Sequence, residues 1–271
     1  MNARALILWS LAGLVVALST TNPVYRALVA LVAVNVLRTW SRPEQNLGFL
    51  VKAICFTTVG AVVLNIAVGH LGATALFELP EAWPVVGGRW TLESIAYGLD
   101  VALGLAAAVL VVAPLSYVLE PHELVDALPK SIERAGIVVA AALNLVPGIG
   151  RSFGQIRDAQ TMRGWRPAGL RSWSEVIVPM AITAVEGSLE LAEAMESRAF
   201  GSGSRSRYAP TRWTGRDWAV VVASLAAIGL ALGARASGLA VDWYPYPALT
   251  TPDVSPAMLI AALLPAVAIW R

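Results

Sequence analysis

Six apolar stretches, each near the length a helix needs to cross a membrane, set what this chain can fold into: residues 4–21, 24–40, 47–71, 94–119, 218–236 and 256–270. A hydrocarbon core about 30 Å thick takes roughly 20 helical residues, and within it a helix satisfies every backbone donor and acceptor internally. The expected fold is all-α and polytopic, with about six transmembrane helices, of which 256–270 is the shortest. Charge agrees with this class. Only 14% of the 271 residues are charged and 57% are hydrophobic, where a soluble domain carries about a quarter charged residues.

The first stretch opens on Met1-Asn-Ala-Arg4 like a signal peptide, but Thr20-Thr-Asn-Pro23 is a poor cleavage site and another apolar run follows at once. It is read as a retained first helix. Cys55 is the single cysteine, which excludes an internal disulfide and a cysteine metal cluster; it is expected to be a buried small hydrophobe. Arg26, Lys52 and Asp100 stand near the ends of the apolar stretches and are expected to reach the interface by snorkelling. The ten tryptophans suit membrane interfaces, and a net charge of only +2 points to no nucleic-acid partner.

Orientation follows from the basic residues. The stretch 121–217 holds twelve of the twenty Lys and Arg, and Arg38 and Arg42 mark another basic connection. The alternate connections are poor in them: 20–23 has none, 70–93 has only Arg89, and 237–255 has Asp242 and Asp253 alone. Both termini and the stretch 121–217 are therefore expected to face the cytoplasm. Two further apolar runs, 135–150 and 176–185, are placed on the cytoplasmic side, because a crossing pair would export Arg151, Arg157, Arg163, Arg166 and Arg171. Pro147-Gly148 and Pro179 are expected to break or kink those helices. So much apolar surface outside the bilayer calls for a partner. The chain thus divides into 1–120 with spans one to four, a cytoplasmic helical region 121–217, and the C-terminal spans 218–271.

Inside that cytoplasmic region a seven-residue pattern occurs twice: Ala159-Gln160-Thr-Met-Arg163-Gly164-Trp165 and Ala194-Met195-Glu-Ser-Arg198-Ala199-Phe200. Each copy has alanine, three variable residues, arginine, a small residue and an aromatic. Arginine carries five donors in a planar, permanently charged fork, suited to a groove lined by carboxylates and carbonyls. The small residue lets backbones approach closely or closes a helix, and the aromatic offers an apolar anchor. Two such tips on one chain suit two similar partner subunits, or a dimer.

Enzyme signatures are missing. Gly148-Ile-Gly-Arg-Ser-Phe-Gly154 and Gly201-Ser-Gly-Ser204 lack the Gly-Lys-Ser/Thr ending that cradles phosphates, and neither H-E-x-x-H nor G-x-S-x-G occurs. Glu186, Glu190, Glu193 and Glu196 fall on adjoining parts of one helix face; without histidine beside them they read as a solvated or docking face rather than a metal site. No cluster of ionisable residues sits mid-span as a proton-coupled carrier requires, so energy is expected from outside. Two other classes stay open: a membrane-embedded lipid-modifying enzyme, with 151–171 binding lipid phosphates and Glu186, Glu190 and His122 as its candidate groups, and the permease half of an ordinary ABC importer, which predicts one coupling region per chain.

The paired motifs make the chain resemble the transmembrane T component of energy-coupling factor transporters, importers of vitamins and transition-metal ions. Arg163-Gly164 within Ala159-Gln160-Thr-Met-Arg163-Gly164 matches that family's first Ala-Arg-Gly type motif, and Ala194-Met195-Glu-Ser-Arg198 the second. Asn22-Pro23, Pro121-x-Glu123-Leu124 and Pro147 also look like the family. Ala199 stands where the second motif usually has glycine, with Gly201 two residues on. The resemblance implies that Ala159, Gln160, Arg163, Gly164, Ala194, Met195, Arg198, Ala199 and Gly201 couple this chain to two ABC-type ATPase subunits, which bind the ATP. It implies a small membrane-embedded S component held by the apolar cytoplasmic helices, no cofactor or metal on this chain, and a place in a prokaryotic plasma membrane.

Overall fold

The computed structural model describes residues 2–41, 46–69, 71–79, 88–120, 123–124, 127, 133–199 and 213–270. In chain order these form α1 (Ala3–Leu18), α2 (Pro23–Trp40), α3 (Gly48–Val68), strands β1 (Ala75–Leu79) and β2 (Gly88–Thr91), α4 (Leu92–Tyr117), α5 (Glu133–Met162), α6 (Gly169–Ser172), α7 (Ser174–Ser197), α8 (Gly215–Ala236), α9 (Pro256–Leu263) and a 3-10 segment, Leu264–Ile269. The chain divides into two compact units, Met1–Glu120 with Arg212–Arg271, and Pro121–Thr211.

Helix starts in the first unit follow from residue chemistry. Asn2, Asn22, Thr91, Thr214 and Ser255 each stand at an N-cap and accept a backbone N–H from the first turn, satisfying a donor the helix itself cannot. Pro23 and Pro256 follow as first helical residues, where no N–H is needed. Thr214 and Asp217 complete a reciprocal capping box on α8. Packing is close because the contact faces are small. On α8 the buried residues are Asp217, Val220, Ala223, Ser224, Ala227, Ala231 and Ala234, one helical stripe; at Gly98 on α4 a Cβ would meet Val62 Cα of α3 at 3.2 Å. Small residues of this kind let spans approach in lipid. Trp9, Tyr25, Leu6, Met258 and Val111 fill the remaining core.

Polar contacts gather in two groups at opposite ends of these helices. At one end Asn2 N–H donates to Asp217 Oδ1 at 2.9 Å, Trp40 Nε1 and Arg216 donate to Ala268 O at 3.1 and 3.2 Å, and the Arg216 guanidinium lies 4.3 Å from the Trp40 ring centroid. At the other, Asn22 Nδ2 donates to Asp253 O at 2.7 Å, Thr21 N–H to Asp242 Oδ1 at 3.1 Å, and Ala73 N–H to Pro247 O at 2.9 Å. The segments Met1–Glu120 and Arg212–Arg271, separate in sequence, are thereby one unit.

Among the described residues three helices, α3, α4 and α8, are long and apolar enough to cross a membrane. Helix α1 has 16 residues, and α9 ends after eight because Pro265 has no N–H to continue the ladder; the chain goes on as the six-residue 3-10 segment. The fold is mostly helical rather than all-α, since β1 and β2 pair as an antiparallel hairpin between α3 and α4. Two residue-level expectations change as well. Cys55 is exposed on α3. Arg26 and Asp100 do not snorkel: they form a buried ion pair, Arg26 NH1 to Asp100 Oδ2 at 2.6 Å, with side-chain exposures of 12% and 2%. Arg26 Nε also donates to Thr20 O at 3.1 Å, and a Cβ at Gly104 would meet the guanidinium at 3.0 Å. Glycine there makes the room in which the pair is held.

Candidate functional site

The second unit is built on α5 and α7, which pack against each other and are joined through the short α6. Their repeated ends explain the repeated sequence. Helix α5 stops at Met162, with Arg163 as its C-cap and Gly164 at φ +89°. Gly164 N–H donates to Thr161 O at 3.0 Å and Trp165 N–H to Gln160 O at 2.9 Å. That crossed pair of bonds over a left-handed residue satisfies carbonyls the helix leaves open. Helix α7 stops at Ser197, with Arg198 as C-cap and Ala199 at φ +52°; Ala199 N–H donates to Glu196 O at 2.9 Å. The small residue of the pattern therefore closes the helix. Alanine in the second copy takes the same left-handed turn that glycine takes in the first, at a steric cost glycine avoids.

Each turn places its arginine at a helix end whose C-terminal carbonyls favour a cation. Arg163 and Arg198 are both exposed, and neither side chain has a hydrogen-bond or ion-pair partner among the described residues. Ala159 and Ala194 lie one turn earlier on the same faces and are also exposed. Met195 is half-buried and its carbonyl accepts Arg198 N–H at 3.2 Å. Gly201 and Phe200 lie outside the described residues, as does His122.

Gln160 serves the scaffold. Pro179 sits inside α7 and has no N–H for the carbonyl of Glu175 four residues back. Gln160 Nε2 donates to that carbonyl at 3.0 Å. The bond fastens the tip of α5 to the first turn of α7 and takes up the carbonyl that Pro179 frees; of the expected break or kink, neither helix shows a break, α7 running on through Pro179 and α5 through Pro147. Trp165 differs from expectation too. It is 9% exposed, its Nε1 donates to Ser172 O at 2.8 Å, and its ring meets Trp173 edge-on at 5.4 Å. Trp173 in turn stacks on Phe153 at 6.3 Å. The aromatic of the first motif locks the α5–α7 turn and is not an anchor offered to a partner.

The antiparallel pair separates the two arginines. Arg163 lies beside the start of α7 and Arg198 at its end, and the 24 residues of α7 span about 36 Å at 1.5 Å per residue. Between the ends the helices carry exposed apolar side chains: Val139, Leu143 and Val146 on α5, and Val178, Ile182, Val185 and Leu189 on α7. The α7 series has spacings of four, three and four and forms one stripe. A cavity of about 190 Å3, lined by Leu145, Gly148, Ile149, Met180, Ala184 and Gly187 among others, opens between the two helices. Glu186, Glu190, Glu193 and Glu196 are exposed, and no group of potential metal ligands occurs among the described residues.

Comparison with known proteins adds a family context. The sequence pattern of the CbiQ family, cobalt transport proteins, matches residues 2–208. The chain is 23% identical over 227 residues to the energy-coupling factor transporter transmembrane protein EcfT of Bacillus subtilis (strain 168), covering 78% of this chain and 83% of that one. It is 24% identical over 215 residues to the EcfT protein of Lactobacillus helveticus (strain DPC 4571), covering 68% and 78%. A third EcfT protein, from Thermanaerovibrio acidaminovorans, is 33% identical over 110 residues, 38% of this chain and 41% of its own.

Proposed function

The chain belongs to the CbiQ family of cobalt transport proteins, and from that premise we propose that it is the transmembrane coupling subunit of an energy-coupling factor importer, with no catalysis of its own. Two ABC-type ATPase subunits each receive one arginine-tipped helix, α5 at Arg163 and α7 at Arg198, and supply the bound ATP. Closure of the ATPase pair moves the two tips relative to each other. The apolar stripes of α5 and α7 hold a small membrane-embedded S component, which reorients and releases its cargo inward. That cargo is a transition-metal ion or a vitamin, and its recognition resides in the S component. Helices α1 to α4, α8 and the segment Pro256–Ile269 cross a prokaryotic plasma membrane, with both termini cytoplasmic, as the basic residues favour.

The observation that carries this reading is the shared build of the two tips: an exposed arginine with no side-chain partner among the described residues, an alanine one turn before it and a left-handed residue after it, at the two ends of one strut about 36 Å long. One tip per ATPase accounts for both copies. The lipid-modifying alternative finds no support: its family context is transport, and its candidate carboxylates, Glu186 and Glu190, stand exposed on α7.

The test is purification in mild detergent from the native membrane, with mass spectrometry of what accompanies the wild type and an Arg163→Glu/Arg198→Glu variant. An arginine at the centre of an interface is worth about 2 kcal/mol or more, roughly a 30-fold change in affinity. The ATPases are expected to leave with the variant while the small membrane protein stays. Equal recovery of ATPases with both versions would refute the assignment of the two arginines.

A further inference from the structure

The β1–β2 hairpin has two faces of different chemistry. Its register pairs Phe77 with Trp90 and Glu78 with Arg89. Directly opposed residues share a face and successive residues alternate, so one face bears an aromatic pair and the other an ion pair. The Phe77 and Trp90 rings are 4.9 Å apart and tilted by 32°. Arg89 Nε donates to Glu78 Oε1 at 2.8 Å, with both side chains more than 60% exposed, at 64% and 63%. An exposed ion pair is at ease in water. Phe77, 50% exposed, asks for an apolar neighbour.

The position of the hairpin identifies that neighbour. Trp90 stands two residues before Leu92, the first residue of α4, and so lies within about 7 Å of that helix start at roughly 3.3 Å per residue. The 26 residues of α4 run about 39 Å, against a hydrocarbon core of about 30 Å and a whole bilayer of about 40–45 Å. A spanning α4 therefore ends in the headgroup layers, and Trp90 lies there with it. Trp and Phe are among the side chains with the apolar surface that this depth accepts. Helix α3, which leads into the hairpin, exposes Val59, Val63, Leu64 and Val68, so the apolar surface that a span presents to lipid continues along the chain into β1.

We propose that the β1–β2 hairpin is an interfacial anchor, with Phe77 and Trp90 seated in the headgroup layer of the bilayer and the Glu78–Arg89 pair turned to water. The proposal rests on α3 and α4 crossing the membrane. It fixes the depth of both helices at the end where they are joined, on the outer leaflet when the termini are cytoplasmic.

The test uses the full chain in nanodiscs of phosphatidylethanolamine and phosphatidylglycerol, with Cys55→Ser and single spin labels at Phe77→Cys, Trp90→Cys, Glu78→Cys and Leu64→Cys. Collision with oxygen reports lipid, and collision with a nickel chelate reports water. Labels at positions 77 and 90 are expected to favour oxygen several-fold over position 78, at a depth shallower than position 64. A position 77 label as open to nickel as position 78, or sheltered from both reagents as in a protein contact, overturns the proposal while position 64 remains in hydrocarbon. If position 64 is itself open to nickel, the spanning premise fails and the anchor with it. Trp90→Phe gives a check that keeps the aromatic pair: losing one of ten tryptophans should reduce the fluorescence quenched by lipids brominated near the headgroup, and no change counts against the proposal.

Discussion

Ala199 holds a backbone conformation that a side chain makes costly, at φ +52°, and the cost bears on how the second tip is built. An L-residue in the left-handed region is disfavoured by about 1–2 kcal/mol relative to its usual wells, so Ala199→Gly is expected to steady the end of α7 by about 1 kcal/mol. Gly164→Ala should do the reverse at the end of α5. Amide exchange over the last turns of the two helices measures both, and equal exchange in all variants would show that neither turn limits fraying. Arg26 and Asp100 call for a different kind of substitution. Arg26→Ala strips the partner from a carboxylate that is 2% exposed, with Oδ1 already lacking a partner among the described residues; removal of one member of a buried pair costs about 3–5 kcal/mol. Arg26→Leu/Asp100→Leu removes both charges and should recover most of that in thermal unfolding in detergent. In the connection after α8, partial burial opposes ionisation of Asp242, but the Thr21 N–H and the Arg235 guanidinium outweigh it and hold the carboxyl below its usual value. That contribution is present above the ordinary carboxylate pKa of about 3.9 and is lost as pH falls through the lowered folded-state value. Asp242→Asn should therefore flatten the acid side of the melting-temperature profile and leave little difference in its slope above pH 5.

At the scale of elements, what was legible in the sequence depended on how local its cause is. The ends of α1 to α4 and α8 were legible to within a few residues, because caps such as Asn22-Pro23 and Thr214 with Asp217 act over one turn, whereas α5 and α7 run well past the apolar runs 135–150 and 176–185 and α9 stops short of 270. The hairpin was not legible. Its alternation covers only a few residues of each strand, and the pairing of Phe77 with Trp90 joins positions whose neighbours read as a loop. Pro179 does not break α7 for a related reason: proline removes a donor, but the carbonyl it frees can find another partner. Here Gln160, fifteen residues earlier, donates to Glu175 O. Gln160→Ala is expected to cost about 1 kcal/mol, the usual net value of such a bond, and to speed amide exchange in the first turns of α7 while leaving the last turns as they were. The same long-range logic turned Trp165 inward, since its acceptor, Ser172 O, and its ring partner, Trp173, belong to the turn after it.

For the whole molecule the question is whether α7 works as a rigid strut between its two tips. The heptad copies were legible as a pair, but their placement at opposite ends of an antiparallel helix hairpin follows from the packing of α5 on α7, which no local pattern encodes. A strut that stays helical sets how far along α7 and in which direction Arg198 projects, while the tips move relative to each other as α7 swings against α5; reach and direction can be varied separately because a helix turns about 100° per residue and rises 1.5 Å. Two residues inserted between Ala192 and Glu193 rotate the Arg198 tip by about 200° while moving it only about 3 Å; four residues move it about 6 Å but rotate it only about 40°. Alanine and glutamate serve as the inserted residues, since both sustain a helix. If direction governs, the four-residue variant retains the second ATPase and part of the uptake, whereas the two-residue variant captures one ATPase per chain through Arg163 and imports nothing. The ATPase stoichiometry of purified complexes, read beside uptake in cells, decides between them. Two ATPases recovered with the two-residue variant would mean that Arg198 reaches its partner on a yielding turn, and the coupling stroke would then have to pass through the apolar faces of α5 and α7 rather than along the axis of α7.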